Sequence, residues 1–546
     1  MAAPSAPSQH ELHIQQEAYH RRWLILAVLC FSLLVIVLDN SILNVAIPTI
    51  VRDLDASTSQ IHWIVDSYTL VFAGLLLVAG SLGDRYGRRG ALQFGLIVFG
   101  VGSLSASFVH SASALIAVRA FMGIGGAFIM PATLSIITNV FPAHERGKAI
   151  GIWAGASGIG GSLGPLLGGS LLTHFSWQSV FLVNVPIVAI GVIAGLSIIP
   201  TSKDPSAPRL DPLGALLSIA GLTALLWGLI EAPGKGWTDS QVLGAIGVGL
   251  GLIGAFIAWE LHTDHPMLDM RFFKNPRFSA ASGSITFVFF AMFGSMFLIG
   301  QYLQFVLGYT PLQTGVRFMP FSLVMLLIAP NSARIVAKFG TKVTVAAGLT
   351  VVTIGLFLLS TMTVDTPYLW IMLRMMCLAG GMALVMAPAT ESVMSALPLA
   401  KAGVGSAVND TTRQVGGALG VAVIGSLLAS GYTSSLRPWI ETTRIPAPLK
   451  DLALDGVGTA GIVAEKLSQG PAFAQRLAGE LITRSHLAYV HGMRTGFLVA
   501  GFVSIFGIIV AAVFLPARPE DADAQRVVDE LETEYSEMGL DPKLAD

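Results

Sequence analysis

Four carboxylates and four guanidinium groups stand inside segments otherwise built to cross a bilayer. Asp39 lies in "LDNSILNVAIP" (38–48), Asp66 in "WIVDSYTLVFAGLLL" (63–77), Glu391 in "MAPATESVM" (386–394) and Asp410 in "GVGSAVNDTTRQVGGALG" (403–420); Arg119, Arg317, Arg374 and Arg413 are the basic members. A charge at the bilayer centre costs several kcal/mol, so each is a functional hypothesis by default. Burial disfavours the charged form of a carboxyl group, which lets an acid in a low-dielectric cavity take up a proton. A cationic ligand favours the ionised form of the same group. Proton and cation then bind antagonistically, and exchange needs no covalent step.

Position separates the four acids. Asp39 and Arg119 both fall in the outer halves of their segments, where they form either a static pair that fixes packing or a relay in which Arg119 tunes Asp39. Asn40, Asn44 and Pro48 recur at i+4 spacing, and Asp39 projects about 100° away from Asn40 on that helix, so acid and amides need not face the same way. Asp66 sits about six residues inside the outer end of its segment, suited to a partly wet structural role or to cation binding. Glu391 has no basic residue within helical reach, which argues against a local pair. Arg413 follows Asp410 at i+3, and the two can share a helix face as a locked pair or as a proton site.

The elements that must hold these groups are transmembrane helices. Of 546 residues, 53% are hydrophobic and 12% charged, against about 25% charged in ordinary globular chains. A ruler of about 20 apolar residues finds roughly fourteen spans. Lysine and arginine collect in alternate short loops, "DRYGRR" (84–89), "HERGK" (144–148), "TSKDPSAPRL" (201–210), "MRFFKNPRF" (270–278) and "KFGTK" (338–342), which puts those loops and both termini in the cytoplasm. An internal repeat divides the chain: "LIAVRAFMGIGGAFIMPATLSII" (115–137) resembles "LWIMLRMMCLAGGMALVMAPATESVM" (369–394). The expected organisation is a tail (1–22), a six-helix bundle (23–199), two inserted spans (200–262), a second six-helix bundle (263–515) with an external segment (432–493), and a tail (516–546). Duplicated bundles around a central site are a transporter design.

Two glycine-rich strings link charge to movement. In "GSLGDRYGRRG" (80–90), Gly83 and Gly87 permit a tight turn, while Asp84, Arg85, Arg88 and Arg89 serve as a topology anchor or as a charge latch broken when the halves rock. In the fifth span Gly160, Gly164 and Gly168 recur at i+4 beside Gly169, a face for close helix approach, and Pro165 favours a bend. The first string matches the loop that marks the major facilitator superfamily. The second, read as GxxxGPxxGG, resembles the motif of that superfamily's exporters. "LDNSILNVAIP", "WIVDSYTLVFAGLLL" and "GVGSAVNDTTRQVGGALGVAVIGS" (403–426) are similar to spans of the fourteen-span drug:proton antiporters, QacA-like branch.

The resemblance implies an all-α membrane protein with fourteen transmembrane helices: two six-helix bundles with two extra helices between them. It implies proton-driven export of lipophilic cations, quaternary ammonium compounds, dyes and antibiotics, by alternating access from the cytoplasmic membrane. Asp39, Asp66, Glu391 and Asp410 would bind protons and cations, with Arg119 and Arg413 as charge partners. The expected partners are small lipophilic substrates, protons and membrane lipids, with protons as the coupling ion, no other cofactor and a monomeric state.

Other functions find little support. A net charge of −1 gives no global attraction to nucleic acid, and two cysteines make neither a disulfide framework nor a thiolate metal site. "GLGLIG" (249–254) has dinucleotide-loop spacing but no preceding strand, and no phosphate-binding G-x-x-x-x-G-K-[ST] or H-E-x-x-H string occurs, so no enzyme is expected. Two alternatives remain at this level: export of a native lipid or metabolite by the same fold, and a non-transporting receptor or scaffold that uses the external segment.

Overall fold

The computed structural model describes residues 19–204 and 210–516. The expected tails lie outside the described residues apart from 19–22 and 516. Among the described residues, fourteen helices are long and apolar enough to cross a membrane. The first six are α1 (Arg22–Leu54), α2 (Thr58–Tyr86), α3 (Arg88–Ala106), α4 (Ala112–Val140), α5 (Ala143–His174) and α6 (Ser179–Ile198). The inserted pair is α7 (Pro212–Lys235) and α8 (Ser240–His262). The second six are α9 (Pro276–Gln301), α10 (Pro311–Phe339), α11 (Thr341–Leu359), α12 (Tyr368–Ser395), α13 (Ala402–Ile440) and, after two short helices, α16 (Ala472–Phe514).

Local chemistry sets the turns. Ser57 and Gln60 form a reciprocal capping box at the start of α2, and Thr310 and Gln313 do the same for α10. Gly87, at φ +118°, joins α2 to α3 in one residue, and Gly340, at φ +82°, joins α10 to α11. These left-handed positions favour glycine, and they occupy the matching basic loops of the two repeats. Asp211 accepts the Gly214 N–H to cap α7 and also accepts from Trp259 Nε1 of α8 at 2.9 Å, which clips the inserted pair together.

The glycine face of α5 lies on α1: Gly160 meets Val37, Gly164 meets Ser41 and Gly168 meets Ile42 and Val45. Pro165 has no N–H to give the Gly161 carbonyl, and Ser41 Oγ donates to that carbonyl at 2.6 Å. The other side of α5 crosses to the second half. Gly151 packs on Ala329 and Pro330, Gly155 on Leu326, Pro165 on Gly315 and Gly169 on Leu312. Ser322 of α10 also donates to the Gly158 carbonyl at 2.8 Å, so α5 and α10 hold the halves together along nearly their whole length.

Contact between α2 and α13 is seen at their inner ends, where a Cβ on Gly80 would stand 2.5 Å from the Gly403 carbonyl oxygen. Further out, α2 turns to α7: a Cβ on Gly74 would stand 2.6 Å from Thr223 Oγ1. Trp237, in the turn after α7, donates to Ser426 Oγ of α13 at 2.9 Å. The inserted helix thus wedges between α2 and α13 in the outer half of the membrane.

The segment expected as a long external loop is mostly helix. α13 runs 39 residues and α16 runs 43, far beyond the 20 or so that a bilayer needs. Between them α14 (Ala447–Leu454) and α15 (Val457–Ser468) pack on these extensions. Tyr432 and Thr433 donate to the carbonyls of Ala453 and Leu454 at 3.0 and 3.2 Å, and Gly458 meets the Phe305 ring. These partners all belong to the second half.

Candidate functional site

In the first half, α1, α2, α3, α4 and α6 converge on one buried carboxylate. Asp39 is 2% exposed and Arg119 fully buried. Arg119 Nη1 donates to Asp39 Oδ2 at 2.5 Å, and Asn184 Nδ2 to Oδ1 at 2.9 Å and to Ser103 Oγ at 3.2 Å. The remaining guanidinium donors reach the Ile64 carbonyl and Asn40 Oδ1, and the Tyr68 ring lies under the cation, 4.3 Å from Cζ. Arg119 thus binds both Asp39 and Asn40. Asn44 lies apart, more exposed and donating to the Asn40 carbonyl.

A second cluster sits at the seam between the halves. Asp410 is fully buried and Arg413 is 4% exposed; they approach to 3.6 Å. Arg413 Nη2 donates to Thr390 Oγ1 of α12 at 3.0 Å, and its plane lies near Trp153 of α5 and Phe289 of α9, 4.8 and 5.2 Å from the ring centres. Asn409 Nδ2 donates to Asp410 Oδ1 at 3.4 Å and Asn409 Oδ1 accepts from Thr390. Asp410 Oδ2 is buried with no hydrogen-bond partner among the described residues.

Glu391 departs from expectation. It has no cation within helical reach on α12, but Arg146, from the first turn of α5 in the other half, comes to 4.0 Å; Glu391 Oε2 finds no hydrogen bond among the described residues. A reading confined to one helix cannot see a partner brought by a crossing helix. Asp66 is half-buried. No ion pair or hydrogen bond is found for it among the described residues, and the charges that act on it are His62, one turn earlier, and Glu231 on the inserted α7.

At the turn between α2 and α3 the "GDRYGRR" string spans the two halves. Asp84 Oδ1 accepts from Arg88 Nε at 2.9 Å and from the Gly403 N–H at 2.8 Å, and Oδ2 accepts from the Val404 N–H at 3.0 Å. A carboxylate is thereby set on the N-terminus of α13, where the unpaired N–H groups and the helix dipole favour negative charge. Arg88 Nη2 donates to the carbonyls of Leu399 and Ala400 at 2.8 and 2.9 Å. Arg89 donates to the Ile199 carbonyl. Arg85 stacks over Tyr86, Cζ 5.4 Å from its ring centre.

Sequence reasoning did not name Asp204. The strand of chain that leads to α7 docks on the latch: Arg88 N donates to the Ser202 carbonyl at 2.9 Å and Asp204 N to the Asp84 carbonyl at 2.7 Å. The Asp204 carboxylate, 2% exposed, meets Lys401 at 3.3 Å, just before α13. Asn184, Ser103, Thr390, Asn409, Trp153 and Arg146 were likewise absent from the expected set. Only "NDTTRQ" signalled any of them, by placing Asn409 beside Asp410.

The chain was compared with known proteins. Residues 29–421 match the model of the Major Facilitator Superfamily. The chain is 31% identical over 504 residues to the tetracenomycin C resistance and export protein of Streptomyces glaucescens, covering 92% of this chain and 93% of that one. It is 32% identical to the multidrug efflux pump LfrA of Mycolicibacterium smegmatis, covering 90% and 96%. Among solved structures, the human organic anion transporter MFSD10 superposes with a TM-score of 0.60 at 13% identity, over 89% of this chain and 98% of that one, a likeness of fold.

Proposed function

The chain belongs to the major facilitator superfamily, whose members are transporters rather than enzymes, and from that premise we propose that it is a proton-coupled exporter of lipophilic cations. Its relatives are multidrug and antibiotic resistance exporters, which supports drug efflux. One relative of 34% identity is named for methyl viologen resistance, which favours a cationic cargo. We place the protein in the cytoplasmic membrane with both termini inside, working as a monomer.

The observation that carries the coupling is the pair of carboxyl oxygens, Asp410 Oδ2 and Glu391 Oε2, buried between the halves without a hydrogen-bond partner among the described residues. Such an oxygen can take a proton without breaking an existing hydrogen bond. Each acid also faces a cation, Arg413 or Arg146, so protonation weakens an ion pair at the seam. In Glu391 that pair joins the two halves directly. Proton binding there loosens the inner ends, and proton release tightens them. A cationic drug competes for the same negative charge. Asp39 is fully occupied by Arg119 and Asn184 and acts as a relay whose proton displaces Arg119, while Asp66, with no ion pair among the described residues, meets cations in the outer half.

Purified protein in vesicles under an imposed pH gradient should drive ethidium accumulation that collapses when the gradient is dissipated. Asp410→Asn and Glu391→Gln should each remove the gradient dependence while leaving ethidium binding measurable. Gradient-independent flux that both variants leave untouched would remove the proposal.

A further inference from the structure

The internal repeat sets Arg119 of α4 against Arg374 of α12: in both copies a Gly-Gly pair follows the arginine at the same spacing, Gly125-Gly126 and Gly380-Gly381. Their surroundings differ. Arg119 is saturated by Asp39, Asn40 and the Ile64 carbonyl. Arg374 has no ion pair or hydrogen bond among the described residues, and its Nη1 is buried without an acceptor. The group that Arg374 acts on from the turn after α9 is Tyr302, fully buried, whose hydroxyl donates to the Thr363 carbonyl at 2.5 Å.

A second arginine reaches the same place. Arg317 of α10 stacks on Tyr309, Cζ 3.6 Å from the ring centre, and lies 5.2 Å from the Tyr368 ring. One of its donors meets the Gln313 carbonyl at 3.2 Å, while its Nε is buried without an acceptor. Tyr368, the first residue of α12, donates its hydroxyl to the Arg317 carbonyl at 2.9 Å, and Tyr302 lies in the field of Arg374 and Tyr309, so both guanidinium groups border one tyrosine cluster. The acid that acts on Tyr302 is Asp365, exposed in the turn before α12. Two half-buried guanidinium groups, each with a buried N–H that has no acceptor among the described residues and neither in an ion pair there, are the chemistry that binds an oxyanion, since guanidinium geometry matches carboxylate and phosphate.

We propose that Arg317 and Arg374, framed by Tyr302, Tyr309 and Tyr368, form an oxyanion site in the outer half of the second bundle. The ligand is a phosphate or carboxylate group. Both arginines lie six residues inside the outer ends of their helices, about 9 Å along the axis, the depth of the headgroup boundary. Leu369, Trp370 and Leu373 of α12 and Val316 and Met319 of α10 are exposed beside them, so an anionic lipid and a soluble anion can both arrive.

The test uses the full-length protein in nanodiscs. One arm compares phosphatidylcholine with phosphatidylcholine plus phosphatidylglycerol; the other adds inorganic phosphate to phosphatidylcholine alone at matched ionic strength. The thermal midpoint of the parent should rise by several degrees in at least one arm, the lipid arm assigning the source to a headgroup and the phosphate arm to solution. Arg374→Gln and Arg317→Gln should each lose most of that rise, and Arg494→Gln, a basic residue outside the cluster, should keep it. If a glutamine variant does not fold, Arg374→Lys takes its place and should retain the response only weakly, because the fork is gone. No rise in the parent in either arm, or a rise that survives in the Arg374 and Arg317 variants, overturns the site.

Discussion

Removing one member of the Asp39–Arg119 pair leaves the other charged, buried and without its ion-pair partner, a loss of about 3–5 kcal/mol in comparable buried pairs. Asp39→Ala and Arg119→Met should therefore each lower the thermal midpoint substantially in detergent. Because one interaction is lost in both, the double variant should be less destabilised than the sum of the two, a coupling that a double-mutant cycle reads directly. Proton competition makes a second prediction at this scale. Cation affinity of the parent should fall as pH is lowered, because the carboxylates that attract the cation become neutral, whereas in a variant with Asp410→Asn and Glu391→Gln the affinity should be weaker and nearly flat with pH; equilibrium binding of a fluorescent cation measures both. The sequence could show which acids lie in spans, and could pair Asp410 with Arg413, because such pairs are local. Arg146 on Glu391, Thr390 on Arg413 and Asn184 on Asp39 were hidden, because each comes from a helix remote in sequence and chosen by the packing.

Glycine placement governs the helices. At Gly80 a side chain would collide with the Gly403 backbone, and the collision occurs only when α2 and α13 close at their inner ends. Gly80→Leu should hold the protein open to the cytoplasm, seen as a several-fold faster reaction of a cysteine introduced at Ala407 with a membrane-impermeant thiol reagent on inside-out vesicles. Asp204→Asn should shift the same readout in the same direction but less, since it weakens the Lys401 contact and spares the Asp84 cap of α13. Spans and their basic turns were legible because hydrophobic length and loop charge report directly on the bilayer. The extension of α13 and α16 beyond it was not, since α14 and α15 supply the apolar cover for those extensions and such cover follows no membrane rule.

The two halves meet differently on their two sides. α5 and α10 touch along nearly their length, so rocking there is a pivot, while α2 and α13 meet at the inner ends with α7 between them further out. The strand of chain leading to α7 is itself part of the inner latch through Ser202 and Asp204. The inserted pair follows that latch in the chain and is hooked to α13 by Trp237. Its partner α8 contributes little to any interior: Leu243, Val248, Leu250 and Leu261 are exposed.

A helix so exposed finds its depth from the lipid, because mismatch between its apolar length and the bilayer has a cost for every ångström. α8 is clipped to α7 at Asp211 and Trp259, and α7 stands in the seam through which the transporter must move. Membrane thickness therefore becomes an input to the cycle, applied as a force on one wedge. Ethidium flux in vesicles of shorter and longer acyl chains should change several-fold in the parent, and Trp237→Phe, which unhooks the wedge from α13, should flatten that dependence.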